Sequence, residues 1–505
     1  MLFNSVEFIF AFLPVVFALV TLASRSSGTR LVRDILLAAS LVFYAWWDVS
    51  RLPLLLGTIC FNHMLAHVIT LRPALRSPCL AAGVAVNIGL LAYFKYRGFV
   101  LGDVLGIPGL SGVGATESLP LGISFFTFQQ LAWLFDATRP GADKTTLATY
   151  ALFVTFFPHL LAGPIVHHNE LVPQLMGSSL GRASPRMIAA GVSLFAIGLF
   201  KKVVLADHFA PVADAAFQGT AHSQMLNCLQ AWVGLVSYAC QIYFDFSGYS
   251  DMALGLGLIF GVVLPINFFS PYKSLDVAEF WRRWHITLSR FLRDFVYIPL
   301  GGNRVSYARQ SFNLFVTMLV GGIWHGAGYT FLLWGAIHGL LLAVVHIHRT
   351  AIRRGVRWWP RVGPAAWVLT LICVVLAWVP FRAPSLSSAI GMYGSLCPPV
   401  ASFVSVVWGS GSSANVPLRL PIIGTAAFAA ALLGLLFCLL MPATAELFRG
   451  YIVDSGLPLK SRPLLVDRLS WKQSRFWAIA TAGILFVAIM DLLSAAPSAF
   501  LYFQF

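Results

Sequence analysis

Residues 280–304 read FWRRWHITLSRFLRDFVYIPLGGNR, a run that carries five arginines in a very apolar chain. At about 100° per residue, Trp281, Trp284, His285, Leu288 and Leu292 share one helical stripe. Arg282 and Arg293 lie beside that stripe, and Arg283 and Arg290 lie further round. The spacing predicts one helix with a histidine on its apolar side and guanidiniums on its wet side. Gly301 and Gly302 end it after Pro299. A second apolar segment, LFVTMLVGGIWHG (residues 314–326), closes on Trp324 and His325, with Gly326 and Gly328 as stop signals. Two histidines forty positions apart, His285 and His325, thus bracket a charged elbow.

The rest of the chain sets this pair in a membrane. Its 505 residues are 58% hydrophobic and 10% charged, with a mean hydropathy of +0.79. Soluble domains carry about 25% charged residues. The expected fold is an all-α polytopic membrane protein with about eleven to thirteen transmembrane or re-entrant helices. The net charge of +15 is read as topology-setting Lys and Arg in cytoplasmic loops, not as a nucleic-acid surface. The seven cysteines are scattered without metal-ligand spacing. His63 and His67, four apart without a carboxylate, are too little for a metal site. No metal and no tightly bound cofactor is expected.

Glu7 is the first charge, and no basic n-region precedes the first apolar run, so the N-terminus is not read as a cleavable signal. A first crossing over 7–24 is followed by Arg25, Arg30 and Arg33, which places the N-terminus outside. Helices are predicted at about 34–50, 52–70, 79–96, 120–140, 186–206, 226–246, 330–349, 364–381, 421–440 and 476–493. Loops are expected at 98–120, 397–420 and 442–475, and a basic linker from Arg349 to Arg361. Asp136 and Arg139, three apart, suit a local ion pair.

In FFPHLLAGPIVHH (156–168), Pro158 and Pro164 interrupt the apolar run. Both a re-entrant piece lining a cavity and a kinked spanning helix fit that pattern. Asp245 and Asp251, expected at a helix end, are either functional carboxylates or structural groups that cap helices or pair with the arginines of the central stretch; the structural role is favoured. The glycines of 253–261 suit helix packing. No internal repeat, Walker motif or dinucleotide fingerprint is present.

A buried histidine can take a proton from a hydroxyl or thiol. A water-poor site protects an acyl donor from hydrolysis, and arginines at its mouth suit phosphates. Acyl-CoA combines these features. A histidine in a membrane helix is equally readable as a satisfied core residue. The basic neighbours of His285 and the glycine break at His325 favour chemistry.

Residues 280–304 and GGIWHGAGYTFLLWGAIHG (321–339) resemble the signature of the membrane-bound O-acyltransferase (MBOAT) family, in particular its bacterial polysaccharide-acetylating branch. The likeness extends to MLFNSVEFIFAFLP at the start, PLGISFFTFQ, FFPHLLAGPIV, GLFKKVVLAD, QIYFDFSGYSDMALGLG, PFRA (380–383) and YFQF at the end. The resemblance implies one membrane domain over 1–505: N-terminal helices to 118, a core over 119–348 and C-terminal helices over 349–505. It implies a helical funnel around His325 as the catalytic residue. His285 then fills a second functional position, occupied by Asn or Asp in other branches. Acetyl-CoA would be the donor at the cytoplasmic face of the inner membrane, with Arg282, Arg283, Arg290, Lys273, Trp281 and Trp324 as donor-binding candidates. The acetyl group would pass to a periplasmic acetyltransferase partner or towards an exopolysaccharide of alginate or cellulose type. Departures from the branch are His159, where Gln is common, and His167 and His168, where a basic residue is expected.

Two other functions fit parts of the sequence. One is D-alanyl transfer to teichoic acid from a carrier protein; the extra C-terminal helices and the YFQF ending speak for the acetylating branch. The other is a non-catalytic secretion or scaffold subunit. It would call for spaced intramembrane carboxylates or repeat symmetry, and neither is present.

Overall fold

A computed structural model describes residues 1–26, 28–107, 119–139, 145–161, 163–222, 226–355, 365–396, 425–451, 466, 469–494 and 498–501. The chain is all-α, with no strand among the described residues. Eight of the described helices are long and apolar enough to cross a membrane. That is fewer than expected from composition. Thr29–Ala45 is only 17 residues long, and Cys228–Ile259 and Tyr307–His325 carry too many polar residues. The chain is a multi-pass membrane protein. The loop expected at 397–420, the YFQF ending, and most of 108–118, 356–364 and 452–465 lie outside the described residues.

The chain divides into two compact units that interleave along the sequence: Met1–Phe200, Ser247–Asn267 and Thr444–Gln504 form one, and Lys201–Phe246, Phe268–Ala443 and Phe505 the other. The first unit has an aromatic core in which Phe3, Phe8, Phe43 and Phe157 meet at centroid distances of 5.0–6.2 Å. It also holds a buried amide network. Asn62 donates to Gln130 Oε1 at 2.7 Å, Asn87 donates to Asn62 Oδ1 at 2.7 Å, and Gln130 donates to Thr58 Oγ1 at 3.2 Å. Such interhelical bonds contribute about 1 kcal/mol each in a membrane, where no water competes for them. The expected Arg139–Asp136 ion pair forms at 3.0 Å.

The FFPHLLAGPIV stretch is irregular. A four-residue helix, Phe157–Leu160, ends at Leu161, and residues 164–167 are non-helical up to extended His167, which precedes the helix His168–Met176. Phe156, Phe157, His159 and Leu160 are fully buried. Protein cover satisfies the condition for broken backbone at such a site, and the helix break at Leu161 is more than a kink in one continuous helix.

Three further corrections concern helices. The helix expected at 226–246 runs over Cys228–Ile259, so Asp245 and Asp251 lie inside it. Asp245 pairs with Lys202 at 2.8 Å, not with the central arginines, and Lys202 also reaches Asp207 at 2.8 Å. Asp251 accepts from Thr444 Oγ1 at 2.8 Å. Short helices at Leu147–Thr155, Asp207–Ala221 and Leu386–Leu396, and a turn at Phe99–Val104 within the expected loop, were not anticipated. The glycine run does pack helices: a Cβ on Gly191 would stand 2.6 Å from the Gly255 carbonyl oxygen.

Lys202 and Asp245 are 1% and 3% exposed at their side chains. Lys202→Ala removes the cation that buried Asp245 and half-buried Asp207 share, and breaking a buried pair from one side costs about 3–5 kcal/mol. The expected result is a sharp loss of folded chain in the membrane, read by thermal unfolding in detergent.

In the second unit, Tyr307–His325 and Tyr329–Arg353 form a tight hairpin. Its seam is glycine. A Cβ on Gly335 would lie 2.6 Å from the Met318 carbonyl oxygen, and one on Gly339 would lie 2.9 Å from Phe315 Cα. Small residues allow this close approach of backbones. Gly335→Val should push the helices apart and lower stability by more than about 2 kcal/mol, visible as a lower unfolding temperature.

Candidate active site

The central stretch is not one helix. Val277–Arg283 and Ile286–Leu292 are separate short helices, joined at Trp284 and His285. The first starts on Asp276, which accepts from Glu279 N at 2.9 Å, while Glu279 Oε2 accepts from Leu275 N at 2.8 Å. This reciprocal arrangement resembles a capping box. Arg349 bonds the other oxygen of Asp276 and ties the stretch to the hairpin. At the break, Phe269 N donates to the Arg283 carbonyl at 2.9 Å, and His285 adopts φ 43°, ψ 54°. The stripe read from periodicity is still buried: Trp281, Trp284, His285, Leu288 and Leu292 are all 7% exposed or less.

Among the described residues, only Ser270 and His285 combine a side chain with positive φ. Left-handed backbone costs a non-glycine residue about 1–2 kcal/mol and clusters at functional sites. Asn, Asp and His tolerate it best. Histidine is therefore among the side chains that this backbone accepts most readily.

His285 is fully buried and His325, the last residue of its helix, is 5% exposed. Their ring centroids stand 6.4 Å apart. Trp324 lies 4.9 Å from His325 and 6.1 Å from His285. Phe246 meets His285 edge-on at 4.7 Å, while Trp334 and Phe381 wall His325 at 5.0 and 5.1 Å. Burial alone lowers the pKa of His285 from 6.5 to about 3, so it is neutral at physiological pH. Gly326 follows His325 with extended backbone, φ −159°. Its glycine is required by space, since a Cβ would overlap the Phe331 ring.

The other expected site residues divide into two groups. Arg283 pairs with Glu279 at 2.6 Å, Lys273 donates to the Met441 carbonyl at 2.6 Å, and Trp281 donates to His338 Nδ1 at 3.2 Å. Their polar groups already serve the fold. Arg282 is exposed and Arg290 half-buried, so Arg282 is the guanidinium more open to an incoming ligand. Trp334, His338 and Phe381 were not singled out from sequence as site residues. Their signal lies in FLLWGAIHG and PFRA, both of which belong to the stretches that carry the family resemblance.

An imidazole at the end of a helix, a second, neutral one fixed beside it, and an aromatic enclosure suit proton transfer away from water. The model of the MBOAT, membrane-bound O-acyltransferase family matches residues 124–379. The chain belongs to this family and is a membrane O-acyltransferase. Among its relatives is a peptidoglycan O-acetyltransferase of Helicobacter pylori, 44% identical over 79% of this chain and 81% of that protein. The probable alginate O-acetylase AlgI of Pseudomonas aeruginosa is 42% identical over 78% of this chain and 75% of its own. A teichoic acid D-alanyltransferase of Streptococcus thermophilus is 31% identical, over only 46% of this chain and 58% of its own. The likeness to O-acetyltransferases over most of the chain makes this a membrane O-acetyltransferase of that type.

Proposed function

We propose that the chain transfers the acetyl group of acetyl-CoA, bound from the cytoplasm, through the inner membrane to a glycan outside, either directly or by way of a periplasmic acetyltransferase. The buried His285–His325 pair at 6.4 Å carries this reading. In a direct transfer, the acceptor hydroxyl attacks the thioester carbonyl carbon as His325 takes its proton. The tetrahedral intermediate then expels the CoA sulfur, which recovers that proton. In a relayed transfer, His325 first holds the acetyl group itself. His285, neutral and held by its backbone, fixes the geometry around His325. Arg282 and Arg290 contact the donor phosphates. Arg25, Arg30 and Arg33 on the inner side put the N-terminus in the periplasm.

The acceptor is an exopolysaccharide of alginate type in the first reading. The relative named for peptidoglycan O-acetylation supports a second, cell-wall glycan reading. Both are tested by alkali-labile acetate in secreted polysaccharide and in peptidoglycan, from cells with and without this chain. Loss of acetate from one polymer names the acceptor. Unchanged acetate in both, or loss of ester-linked alanine instead, defeats the proposal.

A further inference from the structure

Acyl transfer places negative charge on the former carbonyl oxygen, and N–H donors aimed at that charge usually contribute the largest single catalytic effect. Trp334, packed on His325, and His338, packed on Trp334, carry two such donors that serve no protein acceptor. Trp334 Nε1 and His338 Nε2 are buried, with residue exposures of 1% and 0%, and neither has a hydrogen-bond partner. Trp334 packs edge-on against His325 at 5.0 Å and against His338 at 4.9 Å.

The protonation of His338 follows from its neighbour. An indole nitrogen only donates, so the Trp281 Nε1 bond to His338 Nδ1 at 3.2 Å makes Nδ1 the acceptor. The proton of the neutral ring then sits on Nε2. Trp281 thereby acts as a positioning residue that sets the tautomer of His338. A merely apolar wall would not need an indole and an imidazole whose N–H groups are left over, since leaving a buried donor unsatisfied costs about 1–3 kcal/mol.

We propose that Trp334 Nε1–H and His338 Nε2–H bind the thioester carbonyl oxygen and stabilise the oxyanion of the tetrahedral intermediate. This rests on the acetyl-transfer reading above. As the acceptor oxygen bonds to the carbonyl carbon, the π pair moves onto the oxygen facing these donors. When the oxyanion collapses, that pair re-forms the C=O bond and the C–S bond breaks. The two N–H groups keep their protons throughout.

The test uses the full chain reconstituted in lipid vesicles with acetyl-CoA and an oligosaccharide acceptor. Trp334→Phe keeps a ring and removes the N–H. It should lower kcat by about 10²-fold, and weaken the trifluoromethyl ketone analogue of acetyl-CoA, which forms a tetrahedral oxyanion, by a similar factor. Affinity for CoA itself, which has no carbonyl to bind at this centre, should not change. His338→Gln can accept from Trp281 and still donate an N–H, so it should retain far more activity than His338→Leu. An unchanged kcat in Trp334→Phe while His325→Ala is inactive would overturn the proposal and leave the acetyl-transfer reading standing. Equal losses in His338→Gln and His338→Leu, or CoA affinity falling in step with kcat, would also overturn it. No turnover by the wild-type chain would remove the reading beneath it and this proposal together.

Discussion

Replacing His325 with Ala removes glycan acetylation, with a loss of about 10³-fold or more in acetyl transferred per molecule of enzyme. The imidazole ends a helix inside an aromatic wall of Trp324, Trp334 and Phe381, and no other side chain of the Tyr307–His325 helix is placed to take its role. Truncation to Ala leaves the turn intact, because the close approach there depends on Gly326 and Phe331. The variant should therefore reach the membrane at the native level. Acetate released from the glycan, normalised to blotted protein, is the readout. Native acetate at matched protein would assign the chemistry to another residue.

The second large effect is at His285, where two demands can be separated. The backbone demands a residue that tolerates φ 43°, and the chemistry demands a polar group beside His325. His285→Asn satisfies the first demand and part of the second, so it should fold and retain measurable transfer. His285→Val fails both, since a β-branched residue is a true outlier at positive φ, and it should be lost from the membrane as well as inactive. His285→Gly relieves the backbone and removes the polar group, giving folded, inactive protein. Equal stability of the Val and Gly variants would contradict the left-handed assignment.

The same residue gives a pH signature. Its folded pKa lies near 3 against 6.5 for an ordinary histidine. Between those values the unfolded chain binds a proton that the folded chain refuses. Stability is thus fully present above about 6.5 and is lost as pH falls towards 3. His285→Asn should flatten that part of the stability profile, measured by unfolding temperature at a series of pH values.

The burial of Trp281, Trp284, His285, Leu288 and Leu292 was legible because apolar spacing reports which side faces the protein. The break between Arg283 and Ile286 was not, because the same spacing fits a continuous helix and nothing in the pattern marks a left-handed histidine. The hairpin turn at His325 was legible from its glycines. The reason for Gly326 was not, since it lies in the ring of Phe331 rather than in the backbone angles. Asp245 looked like a helix end because glycine and serine follow it. In the structure Gly248 sits where the Gly198 backbone comes close, with a Cβ on Gly198 reaching 2.5 Å from the Gly248 carbonyl oxygen. Packing therefore favours a helix where local propensity suggests a loop. Its partner Lys202 stands 43 positions away, beyond what local spacing reveals. Arg283, Lys273 and Trp281 were recognised as polar groups near the centre, but sequence could not tell that each is already bonded within the fold.

The most direct test of the central claim, that the His285–His325 centre transfers acetyl from acetyl-CoA, uses purified chain in lipid vesicles. Labelled acetyl-CoA is supplied with an acceptor glycan or the periplasmic fraction, and free CoA and acetylated product are followed together. The expected result is matched release of CoA and formation of acetyl ester by the native chain, with neither from His325→Ala although that variant still binds CoA. Equal turnover by the two proteins, or CoA binding by neither, would contradict the account.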